Sequence, residues 1–594
     1  MEIRKRSDMD PQYTWDLTPI FASDASWREA LGDAEAAVKS LDALAGTLGE
    51  SAESLKAALD AIYAAAEKVE RVYSYAFLRK SGDNGDPVSQ EMEAQAISLY
   101  VAMETATAFV DPEILAIPAE KTDAWMTLDA LGPYRHMLEN VMRGRSHTLD
   151  AAGERILAML GDASQTPANA FEMFESVDMR FAPVHDEDGN EVPLTHGSFG
   201  LYRESKSQAV RREAFETYFG EFGKYINTLA ATYGGSVKMN VFNARVRGYD
   251  GACERALFGD NVPVSLYDGL IETVHEALPI MRDYIALRRK AMGLDTLNLY
   301  DLYAPMVADA QFDMPFEKAR DLVKAALRPL GEAYQALLDK AFTERWIDVY
   351  ENQGKTTGAY SSGVYGVHPY VLLNYAGKLD DAFTLAHELG HAMHSWHSDH
   401  AQDYANHDYS IFVAEVASTV NEVLLTQYLL SQEMDEAHRA VILNHFLEGF
   451  RTTLFRQTLF AEFERKAHEL YQNGQPLTAQ SLNALYHDLN ALYYEGCEIN
   501  GFADVEWSRI PHFYRAFYVY QYATGFSSAV AIADRILKTG DASEYLRFLS
   551  TGGSDYPIEE LKIAGVDLAR PDAVRNAMRV FAETLDELKA ILLR

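Results

Sequence analysis

The sequence predicts a mainly α-helical protein, and three observations carry that prediction. Apolar residues recur at 3.6-residue spacing through long segments, β-type signals are confined to a few short stretches, and no fixed-period repeat or Pro/Ser-rich linker interrupts the 594 residues. A chain of this length can bury a large core, or several, without cross-links.

The opening residues, MEIRKRSDMDPQYTWDL, carry early positive charge with no apolar stretch behind it, and so do not read as a secretory leader. WREALGDAEAAVKSLDALAG (27–46) is a helical pattern with an apolar stripe. RFAPV and EVPLT then flank the acidic, glycine-containing turn HDEDGN (185–190), which predicts a hairpin. That hairpin is the best seam in the chain. It divides an N-terminal helical region, 1–177, from a region 178–594 that holds every chemical motif. QAVRREAFETYFGEFGKYINTLAATYG (208–234) returns to helical spacing. PYVLLNY (369–375) is a short apolar run that reads as an edge strand able to pair with an extended peptide, or as an ordinary buried strand.

Charge and cysteine usage exclude several classes of function. With 88 acidic against 53 basic residues the formal charge is -35, the wrong sign for a nucleic-acid phosphate partner. It describes a solvated acidic surface or, functionally, a field that favours cationic substrates. Cys253 and Cys497 are too few and too far apart for a disulfide framework or a thiolate metal cage. No run of 18 apolar residues occurs. These features predict a cytoplasmic protein with neither nucleic acid nor membrane as partner.

The chemistry is concentrated in FTLAHELGHAMHS (383–395), which follows Asp380 and Asp381, either of which can cap a helix. At about 100° per residue, His387 and His391 stand roughly 40° apart on one helix face, as two imidazole ligands to a metal. Glu388 then sits beside the metal, where a general base must be to take a proton from water. With 17 histidines in the chain, chance supplies about 0.04 HExxH matches.

A catalytic zinc needs a third protein ligand. His397 has the spacing of the extended HExxHxxGxxH motif, but the helix-breaking glycine of that motif is His394 here. In an unbroken helix His397 turns roughly 80° away and, like His400, reads as a surface residue, while His394 reads as a hydrogen-bonding support. IFVAEVASTVNEVLLTQYLL (411–430) offers Glu415 and Glu422, seven apart on one otherwise apolar face. Spacing leaves the choice between them open, and the one not chosen would hydrogen-bond a ligand or form a structural ion pair. Later, PHFYRAFYVYQYATG (511–525) carries His512 and a Tyr514, Tyr518, Tyr522 stripe at helical spacing, for which core packing is the ordinary reading.

Segments along nearly the whole chain also carry a resemblance: YTWDLTPIF, ALFGDNVPVSLYD (256–268), GAYSSGVYGVHPYVLLNY (358–375), HELGHAMHS, IFVAEVAST, IPHFYRAFYVYQYATGFSSA and STGGSDYPIEELKIAGVD. In these the sequence resembles the thimet-oligopeptidase-like zinc metallopeptidases, the oligoendopeptidase F group in particular. The resemblance implies a mainly α, two-lobed fold enclosing a deep substrate channel, with a small β element near the metal site. It implies one zinc ion per chain on His387, His391 and Glu415, with short peptides as substrates. It further implies that His512 and Tyr518 act on the substrate carbonyl and oxyanion, and that Tyr522 binds substrate.

The expected activity is that of a zinc endopeptidase of short oligopeptides with Glu388 as general base. Three alternatives stand beside it: an exopeptidase of the same family, a helical peptide-binding protein with a structural zinc, and a metal hydrolase of non-peptide amides or esters. The intact Glu388 counts against the structural zinc, because a closed site needs no base. Similar ligand sets also accept cobalt or manganese.

Overall fold

The computed structural model of the protein describes residues 3–594 except 308, 309 and 311, and helices dominate them. Five short strands occur among the described residues. β1 (Val184–His185) and β2 (Glu191–Val192) pair antiparallel across the 186–190 turn, where Asp186 accepts the backbone N–H groups of Asp188 and Asn190. This is the predicted hairpin, two residues to a side. β3 (Ile347–Asp348), β4 (Tyr360–Ser362) and β5 (Tyr370–Leu372) form a sheet of order β3-β5-β4, in which β5 runs parallel to β3 and antiparallel to β4. β5 takes the centre of PYVLLNY and all three of its residues are buried. β5 is the central strand, so the edge expected there falls to β3 and β4 instead.

The chain falls into two compact, interleaved units. The first gathers Met1–Ser146, Phe312–Leu429 and Ala529–Val566, the second His147–Gln311, Leu430–Ser528 and Asp567–Arg594. The hairpin lies inside the second. A seam at the hairpin between an N-terminal helical region, 1–177, and a catalytic region, 178–594, is a separate proposal, which limited proteolysis would test.

In the first unit the helices Asp24–Ser40, Ala52–Gly82 and Pro87–Thr107 pack together. Ser23 caps the first through a reciprocal bond with Ser26. Trp27 is fully buried and its indole N–H donates to the Val72 carbonyl at 2.8 Å, so a large apolar body and its one donor are both satisfied. The 27–46 pattern leaves the α-helix at Ser40 and continues as a 3₁₀ turn over Leu41–Leu44. The sheet lies against the helix Leu379–Ala401. At Gly363, next to β4, an added Cβ would stand 3.1 Å from the Ser395 Cβ of that helix.

In the second unit the 208–234 pattern is two helices, Gln208–Lys224 and Ile226–Val246, because Tyr225 leaves helical geometry at φ -110. Together with Arg456–Gln472 and Ala479–Tyr493 they bury an aromatic core that includes Phe219, Phe222, Phe463, Trp507 and Phe513. Buried charge in this unit is paired, as in Arg211 with Asp301 at 2.7 Å and Arg451 with Glu448 at 2.6 Å. No helix among the described residues is long and apolar enough to cross a membrane, and Cys253 and Cys497 are both free thiols.

Candidate metal centre

The helix Leu379–Ala401 carries the HExxH motif. Neither expected aspartate is its cap residue: Lys378 precedes the first turn, and the Asp381 carboxylate reaches back to accept the backbone N–H groups of Lys378 (2.7 Å) and Ala376 (3.2 Å). Donors that a helix start leaves unpaired are satisfied from within its first turn.

The second helix, Ile411–Ser431, crosses it at Gly390. A Cβ there would lie 2.5 Å from the Ser418 Cα and 2.6 Å from the Ala417 carbonyl oxygen, so only glycine allows the approach. Asn421 ties the pair together. Its amide donates to the Ala386 carbonyl (3.0 Å) and its oxygen accepts the Tyr334 hydroxyl (3.2 Å), all inside the core.

Around this crossing, His387, His391 and Glu415 offer ligand atoms to one point. The two histidine Nε2 atoms are 3.1 Å apart, and Glu415 Oε2 lies 3.4 Å from the first and 3.6 Å from the second. Three donors about 2.1 Å from one tetrahedral ion stand roughly 3.4 Å from one another, so the observed triangle fits a zinc-sized cation. Nitrogen, nitrogen and carboxylate oxygen are also the donors such an ion prefers.

Neighbouring groups orient all three ligands. Glu422 hydrogen-bonds His387 Nδ1, which assigns that nitrogen the proton and leaves the Nε2 lone pair directed at the cluster. His391 bonds the Ala414 backbone. The Ser418 hydroxyl donates to Glu415 Oε2 at 3.1 Å. Burial opposes charge on both imidazoles, but the hydrogen bond and charge of Glu422, with Glu415 and Glu388, raise His387. Burial and the His387 charge lower His391, as expected of two sites that share one positive charge.

Glu388 is 7% exposed and stands outside the ligand triangle, with its Oε2 buried and unpartnered among the described residues. Burial, reinforced by Glu415 and Glu422 against the pull of His387, raises its carboxyl to about 7, the range in which a carboxylate can both accept and return a proton. Beside this centre, a cleft of about 730 Å³ is lined in part by Ser361, Gly363, Ser395, Tyr409 and Ala414.

The other histidines of the helix do not join the cluster. His394 is fully buried and stacks on Tyr409 with centroids 3.6 Å apart, while both its nitrogens lack a partner among the described residues. It packs, and supports no ligand by a hydrogen bond. His397 is half-buried and faces Tyr334, a correction to its reading as a surface residue. His400 is exposed and stacks on Trp396.

In the second unit, the 511–525 segment is not one helix. A 3₁₀ turn, Pro511–Tyr514, is followed by irregular chain before the helix Tyr520–Thr539 begins. The expected tyrosine stripe is therefore broken. Tyr514 stacks on Phe171 at 4.5 Å and bonds Thr232, whereas Tyr518 and Tyr522 gather around His512 with centroids 6.2 and 6.0 Å from it, and 5.4 Å from each other. The Tyr522 hydroxyl is 3.4 Å from His512 Nε2. His512 is solvent-exposed, but partial desolvation of its ring together with Arg515 lowers its affinity for a proton, so near neutral pH it can donate one N–H and accept at the other nitrogen.

Sequence reasoning missed Ser418, Asn421 and the crossing at Gly390. The only signal available was a glycine and small polar residues within otherwise apolar helices, which has many meanings.

Comparison with known proteins finds similar sequences and structures along the chain. The profile of peptidase family M3 matches residues 201–580, and that of Oligopeptidase F matches 113–181. Oligopeptidase PepF of Bacillus subtilis is 42% identical over 100% of this chain and 89% of its own. Among solved structures, one from Chlamydophila abortus superposes with a TM-score of 0.93 at 33% identity, covering 99% of this chain and 100% of that one. Oligoendopeptidase-F from Enterococcus faecium gives 0.73 at 34% identity, covering 96% and 99%.

Proposed function

This chain belongs to peptidase family M3, and from that premise we propose that it is a zinc-dependent endopeptidase hydrolysing internal bonds of short oligopeptides in the cytoplasm. The observation that carries the proposal is the His387, His391, Glu415 triangle with Glu388, whose Oε2 is unpartnered among the described residues, beside it. A zinc ion held by the three ligands would supply Lewis acidity and acidify a water molecule. Glu388 removes the proton from the attacking water and returns it to the leaving amine. His512 and Tyr518 donate hydrogen bonds to the oxyanion that develops on the substrate carbonyl, and Tyr522 binds the substrate. The extended peptide backbone pairs with the edge strand β4, in place of the 369–375 run first read that way.

The test is metal analysis together with cleavage of an internally quenched peptide and of a folded protein, before and after chelation. One zinc per chain and chelator-sensitive cleavage inside the peptide alone are expected. Release of single residues or dipeptides would make it an exopeptidase, and bound zinc with no cleavage would leave a peptide-binding protein.

A further inference from the structure

Phe517 lies in the stretch between the 3₁₀ turn and the helix that begins at Tyr520, and its φ is +60. Only two other non-glycine residues in the described chain share a positive φ, Asn261 and Arg345. A bulky aromatic residue adopts this conformation only where its surroundings force it, and such strain concentrates at functional sites. Two constraints hold it here. The Phe517 ring is buried against His468 at 4.6 Å and Tyr267 at 5.7 Å. Its N–H donates to Glu464 Oε1 at 3.0 Å.

Glu464 is itself anomalous. It is wholly buried, its Oε2 has no partner among the described residues, and Arg465, the cation that acts on the surrounding Tyr267, Cys253 and His468, pairs with Asp268 and Glu469 instead. Burial pushes its carboxyl well above the usual range, which favours the protonated form. A protonated carboxyl costs less to bury than a carboxylate, but still more than the leucine that would fill the same space. No substrate can touch it. Its one bond is to the backbone of the residue before Tyr518.

We propose that Glu464 is a positioning residue: by accepting the Phe517 N–H it holds the left-handed turn that sets Tyr518 beside His512 and Tyr522. The proposal rests on Tyr518 and His512 serving as oxyanion donors.

Glu464→Gln reproduces the protonated carboxyl in shape and keeps an oxygen for Phe517, whereas Glu464→Leu removes the acceptor. Peptide kcat and KM, bound zinc, and hydrogen–deuterium exchange of the 515–519 segment are measured on both. The Gln variant should stay within about 3-fold of the parent in kcat. The Leu variant should lose about 10-fold or more in kcat, with KM and zinc nearly unchanged and with faster exchange at 515–519. Glu464→Asp, whose carboxyl falls one methylene short of Phe517, makes the same prediction where the Leu variant fails to fold. Exchange as slow in the Leu variant as in the parent overturns the proposal, as does a Gln variant as impaired as the Leu variant, or unchanged kcat despite faster exchange. A parent chain that cleaves no peptide overturns the oligopeptidase reading instead, and exchange still decides whether Glu464 holds the turn.

Discussion

His387 and His391 reach one point because they stand four positions apart on an unbroken helix, whereas His512, Tyr518 and Tyr522 come together because the helix between them is broken. The first arrangement is local and almost free: an α-helix places i and i+4 on one face whatever surrounds it. The second needs a phenylalanine with a positive φ, a buried carboxyl to bond its amide, and Arg515 4.3 Å over the Tyr518 ring. A histidine pair built on regular geometry tolerates much of its context. A ring cluster built on a strained turn depends on buried groups outside the cluster.

The sharpest probe of the metal region is Glu388→Gln, which keeps the helix and all three ligands. It should retain stoichiometric zinc and lower kcat by about 10³-fold; turnover near that of the parent, with zinc in place, would remove Glu388 as the base. Next in size, Tyr518→Phe deletes one hydroxyl from the half-buried ring cluster and should lower kcat by about 10²-fold with little change in KM. An unchanged kcat would return Tyr518 to simple packing and erase the contrast between the two regions. The smallest effect tests how far regular geometry is self-sufficient. Gly390→Ala forces a methyl group into the Ser418 backbone and should destabilise the chain by about 1–3 kcal/mol while weakening zinc binding. Thermal unfolding and zinc titration equal to the parent's would show that the helix pair can part without disturbing the ligands.

Much of this was legible from residues. Helical periodicity revealed the fold class, and the glycine-containing HDEDGN turn revealed the hairpin. HExxH spacing brought His387 and His391 together with Glu388 beside them. Glu415 and Glu422 were both visible as carboxylates on an apolar helix, but only family resemblance separated them. The structure assigns them different work: Glu415 joins the ligand triangle, and Glu422 bonds His387 Nδ1 from behind. The tyrosine stripe misled because i, i+4, i+8 spacing presumes a continuous helix, and the chain between Tyr514 and Tyr520 is not one. His394 misled for a related reason. Sharing a helix face with His391 does not ensure a shared partner, and Tyr409 claims its ring.

By itself, then, the sequence determined whatever depends on neighbours in the chain: helix faces, the hairpin turn, the HExxH pair and Glu388 beside it. These follow from backbone periodicity, which is the same in every protein. Tertiary structure decided what does not: it gathers Glu415 and not Glu422 with the two histidines, puts β5 between β3 and β4, and stands Tyr518 and Tyr522 beside His512. Each of those depends on contacts between residues distant in sequence. Gly390 against Ser418, β5 between β3 and β4, and Glu464 beneath Phe517 are separated by 28, about 10 to 24, and 53 residues, spans over which no local periodicity survives.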